Sequence, residues 1–156
     1  MIDEERLIQF CRDLVKINSI SGNEAEAVRR VAMEMEALGY DDVQVDAAGN
    51  AVGRIGVPGE GPILVVDGHV DTIPPYSLDR WTHDPFGAEI DGGRIYGVGT
   101  ADMKASIAAF IHAGGALARQ RQAVKGCLYL VASIGEEILE GAVLSDSLLY
   151  LRPDFV

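Results

Sequence analysis

The sequence predicts an α/β fold: layered helices around a mixed, largely parallel sheet. Three observations predict it. Stripes of apolar residues at helical spacing alternate along the chain with short continuous apolar runs. Those runs, residues 63–66 and 128–134, read as strands buried on both faces. The acidic and imidazole clusters each fall where such a strand ends or a helix begins, which is where open α/β sheets put their binding crevice.

The elements follow in order. Leu7, Ile8, Cys11, Leu14 and Val15 stand at helical spacing and predict a first helix over 3–16. Ser21 with Glu24 has the pattern of a capping box and predicts a second helix running to Leu38, with Gly39 as its stop. Val43 and Val45 alternate with polar neighbours, Gly49-Asn50 supplies a turn, and 51–55 reads as the returning strand. A glycine- and proline-rich loop leads into the run at 63–66. Residues 72–85 form a long irregular stretch, a length more often functional than not. Asp91-Gly92-Gly93 joins a short hairpin. A third helix is expected over 103–120, where Gly114 and Gly115 suggest close packing against a sheet. After the strand at 128–134 comes a fourth helix at 141–151, and Phe155-Val156 has the character of a strand beginning.

Composition bounds the function. The chain has 156 residues, 48% apolar and 24% charged, which suits one folded domain with a real core. Thirteen basic against 24 acidic residues give a net charge of −11, which argues against nucleic acid or an anionic membrane as the partner. No run approaches the roughly 18 apolar residues of a membrane span. The acidic, amphipathic start is unlike a secretory leader, and Cys11 and Cys127 lie far apart in apolar stretches. A cytoplasmic location is expected.

Taken singly, the candidate site residues have ordinary explanations. His69-x-Asp71 reads as a hydrogen-bonded surface pair, Asp102 as a helix N-cap, and Glu136-Glu137 as charge favoured at a helix start. The glycine-rich run 92–99 lacks both the GxxxxGKS/T and the GxGxxG spacing of a phosphate cradle. His112 reads as a structural helix residue, His83 as a loop residue, and Trp81 and Phe86 as loop anchors. Taken together, one imidazole and several carboxylates at successive strand ends are a donor set for a borderline cation such as zinc. His69 and Asp71 point to one side if the chain stays extended, so a carboxylate can fix the imidazole's tautomer.

The segments GHVDT, WTHDPFGAEIDGGRIYGVGTADMK and GEE, in this order and spacing, resemble the M20 metallopeptidase family of deacetylases, desuccinylases, carboxypeptidases and aminoacylases. The resemblance covers nearly the whole chain, and the loop style is closest to the deacetylase and desuccinylase branch. It implies hydrolysis of an amide in an N-acyl amino acid or small peptide at a two-zinc site, with cobalt or manganese as other metals such donors accept. It implies His69 as ligand to one metal with Asp71 holding its imidazole, and Asp102 as the bridge. Glu137 would be ligand to the second metal and Glu136 the general base. It also implies a cis peptide at Asp102-Met103.

Two departures are small: Val98 stands where the family has arginine in GRGTxDMKG, and Ala105 where it has the final glycine. The larger one is length. A further acidic ligand, a last histidine and a lid domain with the family's dimer interface are expected beyond Val156. Residues 1–156 then form the N-terminal portion of one catalytic domain, with an open sheet edge and three of five ligands. The same motifs also admit an inactive remnant that acts only as a weak metal-binding or interaction module. A domain without metal would leave His69, Asp102 and Glu137 scattered.

Overall fold

Helix α1 (Glu4–Lys16) starts at Asp3, whose carboxylate accepts the Arg6 N–H at 3.1 Å. Glu4 and Glu5 in its first turn and Lys16 in its last match the helix dipole. Its buried face carries Phe10, Cys11, Leu14 and Val15. The computed structural model describes residues 1–156.

Helix α2 (Ala25–Ala37) does not open with the expected capping box. Glu24 is the cap residue and makes no side-chain cap bond; its carboxylate accepts the Gly22 N–H instead. The Ser21 hydroxyl donates to Asp71 at 2.7 Å. In a cap the Ser21 oxygen would accept a neutral backbone N–H, whereas here its O–H donates to a buried carboxylate, a stronger charge-assisted bond, so the tertiary contact outcompetes the local one. Glu34 is buried on this helix between Arg6 at 2.7 Å and Arg30 at 2.9 Å.

The main sheet contains β1 (Asp42–Val45), β2 (Ala51–Gly56), β3 (Ile63–His69) and β6 (Cys127–Ser133) in the order β1-β2-β6-β3. Between β3 and β6 in sequence lie a separate ribbon, β4 (Glu89–Asp91) with β5 (Arg94–Tyr96), and helix α3 (Ala105–Ala118). The sheet is mixed, as expected, but the weighting is the reverse. β1 with β2 and β2 with β6 are antiparallel, and only β3 with β6 is parallel. The tight turn after β1 forces an antiparallel pair, whereas the crossover through α3 carries the chain back parallel to β3.

Helices α1, α2 and α3 cover one face of the sheet in a core that includes Phe10, Leu14, Met35, Ile55, Ile111 and Leu130. Side chains of this size contribute about 1.5–3 kcal/mol each when fully buried. Gly114 fits closely: a Cβ there would overlap Leu130 Cδ1 and the Tyr40 hydroxyl. Gly115 packs against Leu38 rather than the sheet. On the other face, after the short α4 (Glu136–Leu139), helix α5 (Ala142–Leu151) lays Leu151 over Val52, Val65 and Val131.

β6 is central and buried along most of its length. β3 is not buried on both faces as its composition suggests. It is the edge of the sheet, Leu64 is 41% exposed, and its outer side carries only a parallel bridge from Leu64 to Phe155. The strand character of Phe155 is thus present. The third helix starts later than expected, because Asp102 and Met103 have non-helical φ and ψ and make a kinked turn of Thr100–Lys104 ahead of α3. No helix is long and apolar enough to cross a membrane. Cys11 and Cys127 are buried free thiols.

Candidate metal centre

Parallel pairing of β3 with β6 sets His69 opposite Ser133, so both strands leave the sheet at the same end. Gly68 lets the Thr100–Lys104 turn and α3 close over that end, since a Cβ there would lie 2.9 Å from Met103 Cε and Phe110 Cε1. Three chain segments far apart in sequence are thereby brought together. His69, Asp102 and Glu137 each offer one donor atom, and these atoms lie within 4.8 Å of one another. The Asp102–Met103 peptide is cis, where the resemblance implied it. Asp102 is not an N-cap. It has extended φ and ψ inside the turn, and its side chain is 79% exposed.

His69 is buried and its two nitrogens face different partners. Nδ1 is 3.0 Å from the Asp71 carbonyl oxygen and 3.5 Å from its carboxylate. Nε2 is 3.1 Å from Asp102 Oδ1 and 3.9 Å from Glu136 Oε2. The carbonyl is the nearer acceptor for Nδ1–H, and the carboxylate at 3.5 Å acts mainly through its charge. That arrangement leaves Nε2 aimed at the carboxylates, the tautomer a cation needs. Free of metal, His69 is lifted to about 9, by Asp71 first and against burial, with Asp102 adding to the effect.

Asp71 is fully buried and does more than the sequence suggests. Its carboxylate accepts the Glu136 and Glu137 N–H groups, both at 3.1 Å, and the Ser21 hydroxyl. Burial pushes its carboxyl up, but His69, Ser21 and the two amides outweigh that and hold it at about 2. Burial also raises Glu137; His69 opposes this, while Asp102, Asp71 and Glu136 add to it. Such a crowd of carboxylates around one imidazole is relieved by a cation, so the residues present fit a divalent metal.

Four supporting residues escaped the sequence reading. Ser21 has the sequence pattern of a cap. Asn50 looked like turn chemistry only. Lys104 is fully buried and donates to the Leu14 and Ile17 carbonyls at 2.8 and 2.9 Å, fastening the Asp102 turn to the end of α1. Asp67, two residues before His69 and so on the same face of β3, has a buried Oδ1 without a partner. A signal existed for Lys104 and Asp67, charged residues inside otherwise apolar elements. A cleft of about 280 Å³ opens beside Asp102 and Glu137, walled by Ile73, Trp81, Val98, Thr72 and Thr100.

The remaining histidines lie outside the cluster. His112 is buried beside Phe10, with Nε2 3.2 Å from Glu34. His83 stacks on Tyr96 at 3.9 Å. Trp81 donates its indole N–H to the Tyr76 carbonyl, a local anchor as expected.

An α/β chain whose strand ends gather an imidazole and carboxylates around one point has the layout of a metallohydrolase catalytic domain. The model of peptidase family M20/M25/M40 matches residues 65–154, and the chain belongs to that family. It is 35% identical over 137 residues to a succinyl-diaminopimelate desuccinylase of Rhodospirillum centenum, covering 83% of this chain and 35% of that protein. It is 34% identical over 159 residues to the Escherichia coli protein YgeY, covering 96% and 37%. Among solved structures, the M20 family metallo-carboxypeptidase Sso-CP2 of Sulfolobus solfataricus superimposes with a TM-score of 0.78 at 25% identity, covering 99% of this chain and 37% of that one. The chain thus spans a little over a third of the length of these relatives.

Proposed function

We propose that this chain supplies most of a two-metal centre, zinc in the first instance, that hydrolyses the amide bond of an N-acyl amino acid or small peptide. The convergence of His69, Asp102 and Glu137 on one point carries this reading. His69 and Asp102 would hold one ion, Asp102 and Glu137 the other, and the donor set accepts cobalt or manganese as well. When bound, such ions lower the pKa of water and polarise an amide carbonyl. The chain's own residues do the rest. Asp71 keeps the His69 proton on Nδ1. Glu136, beside the cluster, takes a proton from the attacking water and gives it to the leaving nitrogen. The cleft walled by Ile73, Trp81 and Val98 receives the organic group next to the scissile bond.

The names of the relatives, a desuccinylase and a metallo-carboxypeptidase, support amide hydrolysis and metal dependence. We read residues 1–156 as the N-terminal portion of one catalytic domain, with the lid and dimer interface in the part the relatives have in addition. The net charge of −11 supports a small-molecule substrate over nucleic acid or membrane, and two buried free thiols support a cytoplasmic setting. A second reading, a weak metal-binding or interaction module without turnover, is favoured by the count of two protein donors per ion where catalytic sites use about three.

Zinc titration by calorimetry tests the centre. Weak binding abolished in His69→Ala is expected, and a chain that takes up no zinc would sink the reading. Turnover of N-acyl amino acids, lost in Glu136→Ala, separates the enzyme from the module.

A further inference from the structure

We propose that Asn50 is a positioning residue that holds the Glu136–Glu137 turn in place through the Ile134 amide. The inference deepens the metal-centre reading and rests on it only for its functional consequence. β6 runs between β2 and β3, and the turn that leaves it is gripped by one side chain from each neighbour. From the β3 side, Asp71 accepts the Glu136 and Glu137 N–H groups. From the β2 side, Asn50 Oδ1 accepts the Ile134 N–H at 3.1 Å. The β2–β6 ladder ends at Ala51 opposite Ala132, so the Ile134 amide lies beyond its reach and Asn50 stands in for the missing strand partner.

Asn50 is itself locked. It is 0% exposed, and its Nδ2 donates to Ser147 Oγ at 3.0 Å and to Asp46 Oδ2 at 3.4 Å. Asp46 in turn accepts the Ala48, Gly49 and Asn50 amides on Oδ1 and the Ser147 hydroxyl on Oδ2. The network therefore fixes the rotamer of Asn50 from the β1–β2 turn and from α5, and its only outlet toward the cluster is Ile134. Just past Ile134 the backbone turns left-handed at Gly135 (φ +69°) and delivers the two glutamates. An Ile134 amide without its acceptor frees the β2 side of that turn, leaving it held from the β3 side by Asp71 and by the Val70 N–H, which donates to the Ser133 carbonyl at 2.9 Å.

Amide hydrogen exchange followed by NMR on the metal-free chain tests this directly. In Asn50→Ala, exchange at Ile134, Glu136 and Glu137 is expected to rise about tenfold more than at Leu130 and Val131 in β6, the size of one lost hydrogen bond. The double variant Asn50→Asp/Asp46→Asn, which keeps an acceptor for Ile134 and an amide donor in the network, is expected to restore protection. Should Asn50→Ala fail to fold, Ser147→Ala, which removes the acceptor of Asn50 Nδ2 together with the hydroxyl that donates to Asp46, is read in the same way with a smaller rise. Equal acceleration throughout β6 and the turn, or none in the turn, overturns the proposal. Zinc titration of the same variants keeps the two readings apart. A parent chain that binds no zinc yet shows the exchange pattern removes the metal centre and leaves Asn50 in its role. Zinc binding with an unmoved exchange pattern does the reverse.

Discussion

The two halves of the cluster are built differently. His69 and Asp71 sit at the end of β3 with side chains 6% and 0% exposed, whereas Asp102 and Glu136 are 79% and 43% exposed. The buried half is tied into the fold by Ser21, two backbone amides and the Asp71 carbonyl. The exposed half is held by its backbone, and its carboxylates meet water. The buried half therefore contributes to folding before any cation arrives, and the exposed half contributes to cation binding with little effect on folding.

Removing Asp71 is the strongest way to break this contrast. In the metal-free chain, Asp71→Ala leaves the Ser21 hydroxyl and two amides without their acceptor, and removes the largest of the contributions that raise His69. The expected loss is about 3 kcal/mol in urea unfolding, the low end for a broken buried pair. A loss under about 1 kcal/mol, the value of an exposed pair, would erase the distinction.

The pH dependence of stability sharpens it. His69 is raised from 6.5 to about 9, so its contribution is full below pH 6.5 and fades as pH rises through about 9. Asp71 is lowered from 3.8 to about 2, so its contribution is full above pH 3.8 and fades as pH falls through about 2. Burial works against the charge of both groups, and the two shifts are unequal because each has further partners, Asp102 for His69 and Ser21 with two amides for Asp71. The urea midpoint of the metal-free chain is expected to decline from pH 7 to 9.5, a limb absent in His69→Ala. His112 works in the opposite sense. Burial lowers it, so its contribution is lost as pH falls below its ordinary 6.5, and that acid limb persists in the same variant.

The smallest effect is expected on the exposed side. Asp102→Ala should change metal-free stability by no more than about 0.5 kcal/mol, as surface substitutions do, while zinc binding disappears. Equal losses of stability in Asp71→Ala and Asp102→Ala, measured side by side, would show the two halves to be one unit.

What the sequence revealed divides along similar lines. Helices α1, α2, α3 and α5, both hairpins, the buried β6 and the order of the cluster residues depend on local spacing, and they were legible, whereas the short α4 was not expected. His69 and Asp71 share a side because a strand alternates. The edge position of β3 and the antiparallel majority of the sheet were not legible, since composition records apolarity and not neighbours. Nor were the supports. Ser21 reaches Asp71 across 50 residues, Lys104 reaches Leu14 across 90, and Asn50 reaches Ser147 across 97. A serine near a helix start or an asparagine after a glycine has a satisfying local explanation, and only the fold reveals the distant one.

Lys104 has one more property. Of the three lysines in the chain, Lys16 and Lys125 stand in solvent, while the Lys104 amine is enclosed between α1 and the Asp102 turn. An acylating reagent meets the first two at once and the third only when α1 lifts away. The protein thus carries its own stopwatch: the pace at which this single amine becomes modified reports how often the floor beneath the cluster comes open.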